Sequence, residues 1–188
     1  MSPILGIYAS SISPSLNANS YSSIATVTVG AGGQSTVTFS SIPSTYKHLQ
    51  LRYIWQASAN DKNLNLTFNS DSGSNYAFHW LYGNGTSALA YAQSTQTAIQ
   101  TAYNYAATGT FTTADYVAGV TDILDYASTS KNKTVRTLFG VDYNGGGGVH
   151  LDSGLWQNSS TAISSISLVI NGGGNIQQYS QFALYGIK

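Results

Sequence analysis

The chain contains no cysteine and no glutamate, and only 7% of its 188 residues are charged. Without cysteine there can be no disulfide framework and no thiolate metal site, and a chain of this length needs neither to fold, so the compartment is left open. The acids are all aspartate, and seven of them balance seven Lys plus Arg, for a formal net charge of zero. No cationic field exists to hold a nucleic-acid backbone or an anionic membrane. Charged residues make up roughly 25% of an ordinary soluble domain, so Ser, Thr, Asn, Gln and Gly must keep this one in solution.

Two further absences concern the N-terminal end, which reads MSPILGIYASSISPS. Its apolar cluster of Ile4, Leu5, Ile7 and Tyr8 has no basic residue before it, since the first Lys or Arg is Lys47, so it lacks the n-region of a secretory signal. No apolar run in the chain approaches the ~18 residues of a membrane-spanning helix. The expectation is an extended arm over 1–20 that packs on a surface outside its own domain, followed by one domain over 21–188.

What the chain does have is apolar and aromatic material, 42% hydrophobic residues including fourteen Tyr, enough to support a folded core. The dominant pattern is alternation with period two, the signature of half-buried strands. In SIATVTV, Ala25, Val27 and Val29 share one face and Ile24, Thr26 and Thr28 the other; GAGGQ then turns the chain, and STVTF is expected to return beside it as a hairpin. HLQLRYIWQ places Leu49, Leu51, Tyr53 and Trp55 on one face, and LNLTF does the same with Leu64, Leu66 and Phe68. YVAGVTDILDYA, TVRTLFGVDY, SGLW, ISSISLVI and QFALYGI also read as strands, bounded by Asn, Gly and Ser clusters.

Eight to ten strands at this spacing predict an all-β fold, a jelly-roll-like antiparallel β-sandwich. TSALAYAQSTQTAIQTAYNYAA lacks a clean helical stripe and is expected as a long loop with extended segments, while SIPSTYKHL should turn after Pro43. GGGG at 145–148 lacks the GK[ST] of a phosphate loop and reads as a loop tip.

Several side chains qualify for chemistry. His150 and Asp152 are two apart and would share a strand face, so they can pair; a nucleophile would still be needed, and no GxSxG is present. The plain alternative is a histidine at a strand edge. Asp122 and Asp125, three apart, should point to opposite faces and bond to nearby turns rather than act as a carboxylate pair. FNSDSGSNY alternates Asn69, Asp71, Gly73 and Asn75 like a calcium loop, but the bidentate Glu is missing, and a tight turn capped by Asx side chains accounts for the same residues. Trp55, Trp80 and Trp156 are expected in the core or, if exposed, stacked on sugars. The sequons at Asn65, Asn84, Asn132 and Asn158 follow from the abundance of Asn, Ser and Thr. No catalytic residue, cofactor or metal site is expected.

ILGIYASSIS, YSSIATVTVGAGGQSTVTFSSIPSTYKHLQLR, FNSDSGSNYAFHWLYGNG, DILDYASTSKNKTVRTLFG, SGLWQNSSTAISSISLVINGG and QYSQFALYGIK together resemble a family of small β-rich virion proteins of tailed bacteriophages. The resemblance covers nearly the whole chain. It implies a non-enzymatic structural component on the outer surface of the particle and contributes no catalytic residue. The expectation is a capsid decoration (cement) protein that binds the major capsid protein as a homotrimer, with Ile4, Leu5, Ile7 and Tyr8 as the assembly arm. The alternative is a receptor-binding tip or minor tail-fibre protein that contacts host glycans.

Overall fold

The computed structural model describes residues 20–59, 62–104, 116–142 and 146–188, and every regular element among them is a strand. In chain order these are β1 (Tyr21–Thr28), β2 (Thr36–Phe39), β3 (His48–Trp55), β4 (Lys62–Phe68), β5 (Tyr76–Gly83), β6 (Ala88–Gln96), β7 (Ile99–Asn104), β8 (Val117–Ile123), β9 (Lys133–Asp142), β10 (Gly147–Trp156), β11 (Ile166–Ile170) and β12 (Gln181–Ile187). They form an eight-stranded sheet ordered β1-β12-β3-β8-β9-β10-β5-β6 and a four-stranded sheet ordered β2-β11-β4-β7. All pairings are antiparallel. The jelly-roll-like sandwich expected from alternation is the fold, while the proposed arm at Ile4, Leu5, Ile7 and Tyr8 lies outside the described residues.

The core follows from the pleat. Leu49, Leu51, Tyr53 and Trp55 of β3 are all buried, as are Leu64, Leu66 and Phe68 of β4, so one face of each strand meets the opposite sheet. Each such side chain contributes about 1.5–3 kcal/mol of transfer free energy. An aromatic group closes one end of the core: Trp156 stacks on Tyr76, with Phe68 tilted against both.

Glycine permits two close approaches inside it. A Cβ on Gly119 would lie 2.5 Å from the Tyr53 ring, and one on Gly186 would lie 2.2 Å from the Tyr46 ring. Both are sites where a bare backbone makes room for an aromatic face.

Some expectations need correction. β1 and β2 are not a hairpin: β1 pairs with β12 in the large sheet and β2 with β11 in the small one. The GAGGQ segment carries the chain between sheets, held by bonds from Gln34 to Ile176 in both directions and from Val29 N–H to Ser180 O. Gly33, at φ 69°, passes so close that a Cβ would sit 2.6 Å from the Ile176 carbonyl oxygen. A bulge between Ser23 and Ala25 also turns Ile24 toward the core, although strict alternation puts it on the other face.

There are twelve strands among the described residues rather than eight to ten. The stretch expected as a long loop supplies β6 and β7, and YAFHWLYG supplies β5. Gly147 and Gly148 belong to β10 instead of a loop tip. The turn after Pro43 is present, with its carbonyl accepting from the Tyr126 hydroxyl.

Candidate interaction surface

The small sheet covers one face of the large sheet, and the register identifies what remains on the other. Val120, Leu138, Leu151 and Leu81 stand directly opposite one another on β8, β9, β10 and β5. The next row toward the other end of the strands holds Ile54, Ala118, Gly140 and Val149. These side chains point away from the core. Ile54, Leu81, Leu138, Val149 and Leu151 are between 47% and 63% exposed, which makes one continuous apolar field across the middle strands.

Much of that field is concave. A shallow groove of about 570 Å³ is floored by small residues, Ala118, Gly140 and Ala183, and edged by Ile54, Val120, Leu138 and Val149. Of the residues lining it, only Arg52 is charged. Its guanidinium lies 5.1 Å from the Tyr21 ring and 4.8 Å from the Tyr185 ring, a cation held between two aromatic faces.

One row further along, the face becomes polar. Arg52 Nε donates to Gln50 Oε1 at 2.7 Å, Gln50 Nε2 donates to Asp122 Oδ1 at 2.8 Å, and Arg136 Nη2 donates to Asp122 Oδ2 at 2.6 Å. Burial alone would raise the Asp122 pKa. The bonds from Gln50 and Arg136, with the charges of Arg136 and His48, outweigh it and hold the carboxyl below the ordinary value. Asp122 thus bonds across strands rather than to a turn, whereas Asp125 does sit in a turn and pairs with Lys131 at 2.9 Å.

The His150–Asp152 pair expected from spacing forms, with Nδ1 and Oδ1 3.6 Å apart. It is not at a strand edge, because β10 lies between β9 and β5, and both side chains face the interior. Phe139 and Tyr82, the cross-strand neighbours of His150, stack on its two sides at 4.2 and 4.8 Å. Burial raises the Asp152 pKa, against the opposing hydrogen bond and charge of His150. His150 lies between the two rings, and both members of the pair are almost fully buried.

The Asp71 turn is also structural. Its carboxylate accepts from Gly73 N–H at 2.9 Å, Asn75 Nδ2 at 3.0 Å and Trp156 Nε1 at 2.7 Å, which occupies the oxygens a cation would need. Among the described residues no three His or Asp side chains converge as metal ligands. Asn84 and Asn158 likewise spend their side-chain oxygens on turns, accepting from Thr86 and Ser160 N–H respectively.

Trp55 and Trp156 are core residues, while Trp80 is partly buried. Trp80 stacks on Phe78 at 5.2 Å and meets Tyr91 at 5.0 Å, near the β6 edge, where Tyr91 is half-exposed.

Sequence reasoning missed the outward apolar rows. The available signal was adjacency: Leu138 precedes Phe139, and Val149 and Leu151 flank His150, so these strands have large nonpolar or aromatic side chains on both faces. Comparison with known family models, with curated proteins and with solved structures returns no match to this chain.

Proposed function

We propose that this chain is a non-enzymatic bacteriophage virion protein, a capsid decoration (cement) protein that binds the outer surface of the head as a symmetric trimer and stabilises it. The observation that carries the reading is the apolar field on the outer face of the eight-stranded sheet. Five large nonpolar side chains there remain about half-exposed and lie side by side across adjacent strands. Contiguous patches of this kind mark surfaces that another polypeptide covers. The family resemblance given above supplies the setting, and the uncharged N-terminal segment with Ile4, Leu5, Ile7 and Tyr8 supplies a second element suited to packing on a neighbour. Contacts of about 1.5–3 kcal/mol per side chain, reduced by ordering entropy, hold firmly when several copies act together.

Purified particles test this. A decoration protein is present at an abundance near that of the major capsid protein, and the recombinant chain rebinds heads stripped of it. A chain lacking residues 1–15 should fold and fail to bind; full decoration by that variant overturns the role of the arm.

The second reading, a receptor-binding tip or minor tail fibre, is favoured by Tyr91, a half-exposed ring near the β6 edge backed by Trp80 and the buried Phe78, because such a ring suits stacking on sugars. It requires low copy number and binding of the isolated protein to host cells or lipopolysaccharide, lost in Tyr91→Ala.

A further inference from the structure

We infer that the groove on the outer face of the eight-stranded sheet is the seat for residues 1–19 of a second copy of this chain. This rests on the reading of Ile4, Leu5, Ile7 and Tyr8 as an assembly arm and gives that arm a specific surface to occupy.

Shape narrows the choice of occupant. The groove is concave, so the same face of a second copy, equally concave, would leave the space between them unfilled and forfeit the contacts that make burial favourable. A single extended segment fits such a space. Charge narrows it further, because Arg52 is the only charged residue in the lining and its guanidinium is already held by Tyr21 and Tyr185. An occupant with its own charges would bury them without partners. Residues 1–19 contain none, and they place four large apolar side chains within five positions.

The direction of the chain selects a neighbour's groove over its own. Tyr21, the first residue of β1, stands opposite Ile187, which stands opposite His48 of β3. The groove lies toward the other end of the sheet, where Thr28, Gln181, Ile54, Ala118, Gly140 and Val149 are in line. The distance along β3 from His48 to Ile54 is about 20 Å. The polypeptide therefore enters β1 beside the Arg52–Tyr185 end of the groove, and a straight continuation of β1 before Ser20 leads away from the groove. Ser20 extends that ladder, since its carbonyl accepts from Lys188 N–H. Reaching its own groove would require a reversal just before Ser20 and a path back over β12, whose Tyr185, Ala183 and Gln181 form the near side of the groove. The stretch from Tyr8 to Ser20 spans about 40 Å when extended, more than the roughly 34 Å width of eight strands, so a neighbour's groove is within reach.

The absence of cysteine allows a direct test on the full-length chain. Ile7→Cys and Leu138→Cys are made on separate chains, one bearing a mass tag, and co-expressed; a short thiol cross-linker is then applied. The inference predicts a mixed-mass pair in roughly tenfold excess over pairs of like chains. A double variant, Ile7→Cys with Leu138→Cys, that closes only on itself and yields cross-linked monomer overturns it, because the arm then lies on its own sheet. Dominant Leu138–Leu138 pairs overturn it in favour of two faces packed together, and no cross-link in any combination overturns it as well. Val149→Asp, added to the Leu138→Cys chain at a side chain that lines the groove and is 63% exposed, should keep the urea midpoint and abolish the mixed pair. Head binding is scored separately. Mixed pairs without head binding sink the decoration role alone; decorated heads without mixed pairs sink this inference alone.

Discussion

Replacing Asp71 with alanine removes the acceptor from a buried tryptophan. The Trp156 indole N–H donates to Asp71 Oδ2 at 2.7 Å, and Trp156 is 1% exposed while Asp71 sits in a surface turn, so the lost carboxylate leaves a donor that only water entering from the turn can satisfy. A hydrogen bond to a charged group is worth about 1.5–3 kcal/mol, and a stranded buried donor costs about 1–3 kcal/mol. The same substitution releases the turn bonds from Gly73 and Asn75. The expected loss is about 1–3 kcal/mol, equivalent to a fall in melting temperature of roughly 2–12 °C for a chain of this size. Asp71→Asn keeps an acceptor but not the charge and should lose about half as much.

The pH dependence gives an independent check. Burial would raise the Asp71 pKa, but the bonds from Trp156, Asn75 and Gly73 prevail and lower it from 3.8. The stabilisation is therefore complete above the unfolded value and is lost as pH falls through the lower folded value. Urea unfolding followed by tryptophan fluorescence should show a constant gap between wild type and Asp71→Asn from pH 5 to 8, closing below pH 4. An Asp71→Ala variant within about 0.5 kcal/mol of wild type at neutral pH would refute the reasoning, as would a gap that does not close in acid.

Gly119→Ala should destabilise by about 1–3 kcal/mol, because the new methyl meets the Tyr53 ring at 2.5 Å while the Tyr53 hydroxyl is anchored on Thr101 O at 2.7 Å. Gly30→Ala, with nothing within 4 Å, should be neutral in the same urea titration, and equal effects would contradict this account. Asp152→Asn tests the buried pair: with the Asp152 pKa raised above 3.8, wild type loses stability as pH climbs from the unfolded value through the folded one, so the variant's relative stability should improve over that window. Improvement toward acid instead would show the sign to be wrong. Asn69→Ala should cost about 2–4 kcal/mol in thermal melts, since Asn69 Oδ1 accepts from Ser164 and Ser165 N–H and its Nδ2 donates to Ala162 O; an unchanged melt would show that this crossover does not depend on those bonds.

The strands were legible where alternation was strict, as in HLQLRYIWQ and LNLTF, because one polar and one apolar face dictate which way each side chain points. Pairing was less visible. SIATVTV and STVTF are near neighbours with a glycine-rich link, the local pattern of a hairpin, yet both find their partners at the far end of the chain. Nothing in a strand's own alternation names its partner. β6, ALAYAQSTQ, is exposed along most of its length and so carries no core-facing period to read. The same logic explains the interaction surface. Leu138 and Leu151 resemble core residues in sequence, and only the register shows them aligned on a side that the small sheet leaves open.

The order of the strands also constrains how the chain reaches its native state. Among the described residues β1 pairs only with β12, and β2 only with β11, so these two strands cannot be satisfied until β11 and β12 have left the ribosome. Closures between such distant segments make folding slow compared with locally wired topologies of similar size. During that wait β1 and β2 remain unpaired, and holding few charges in this stretch gives little protection against premature aggregation. Truncation before Gln181 would remove β12 and strip β1 and β3 of their shared neighbour, so it should be as damaging to solubility as truncation within the central strands.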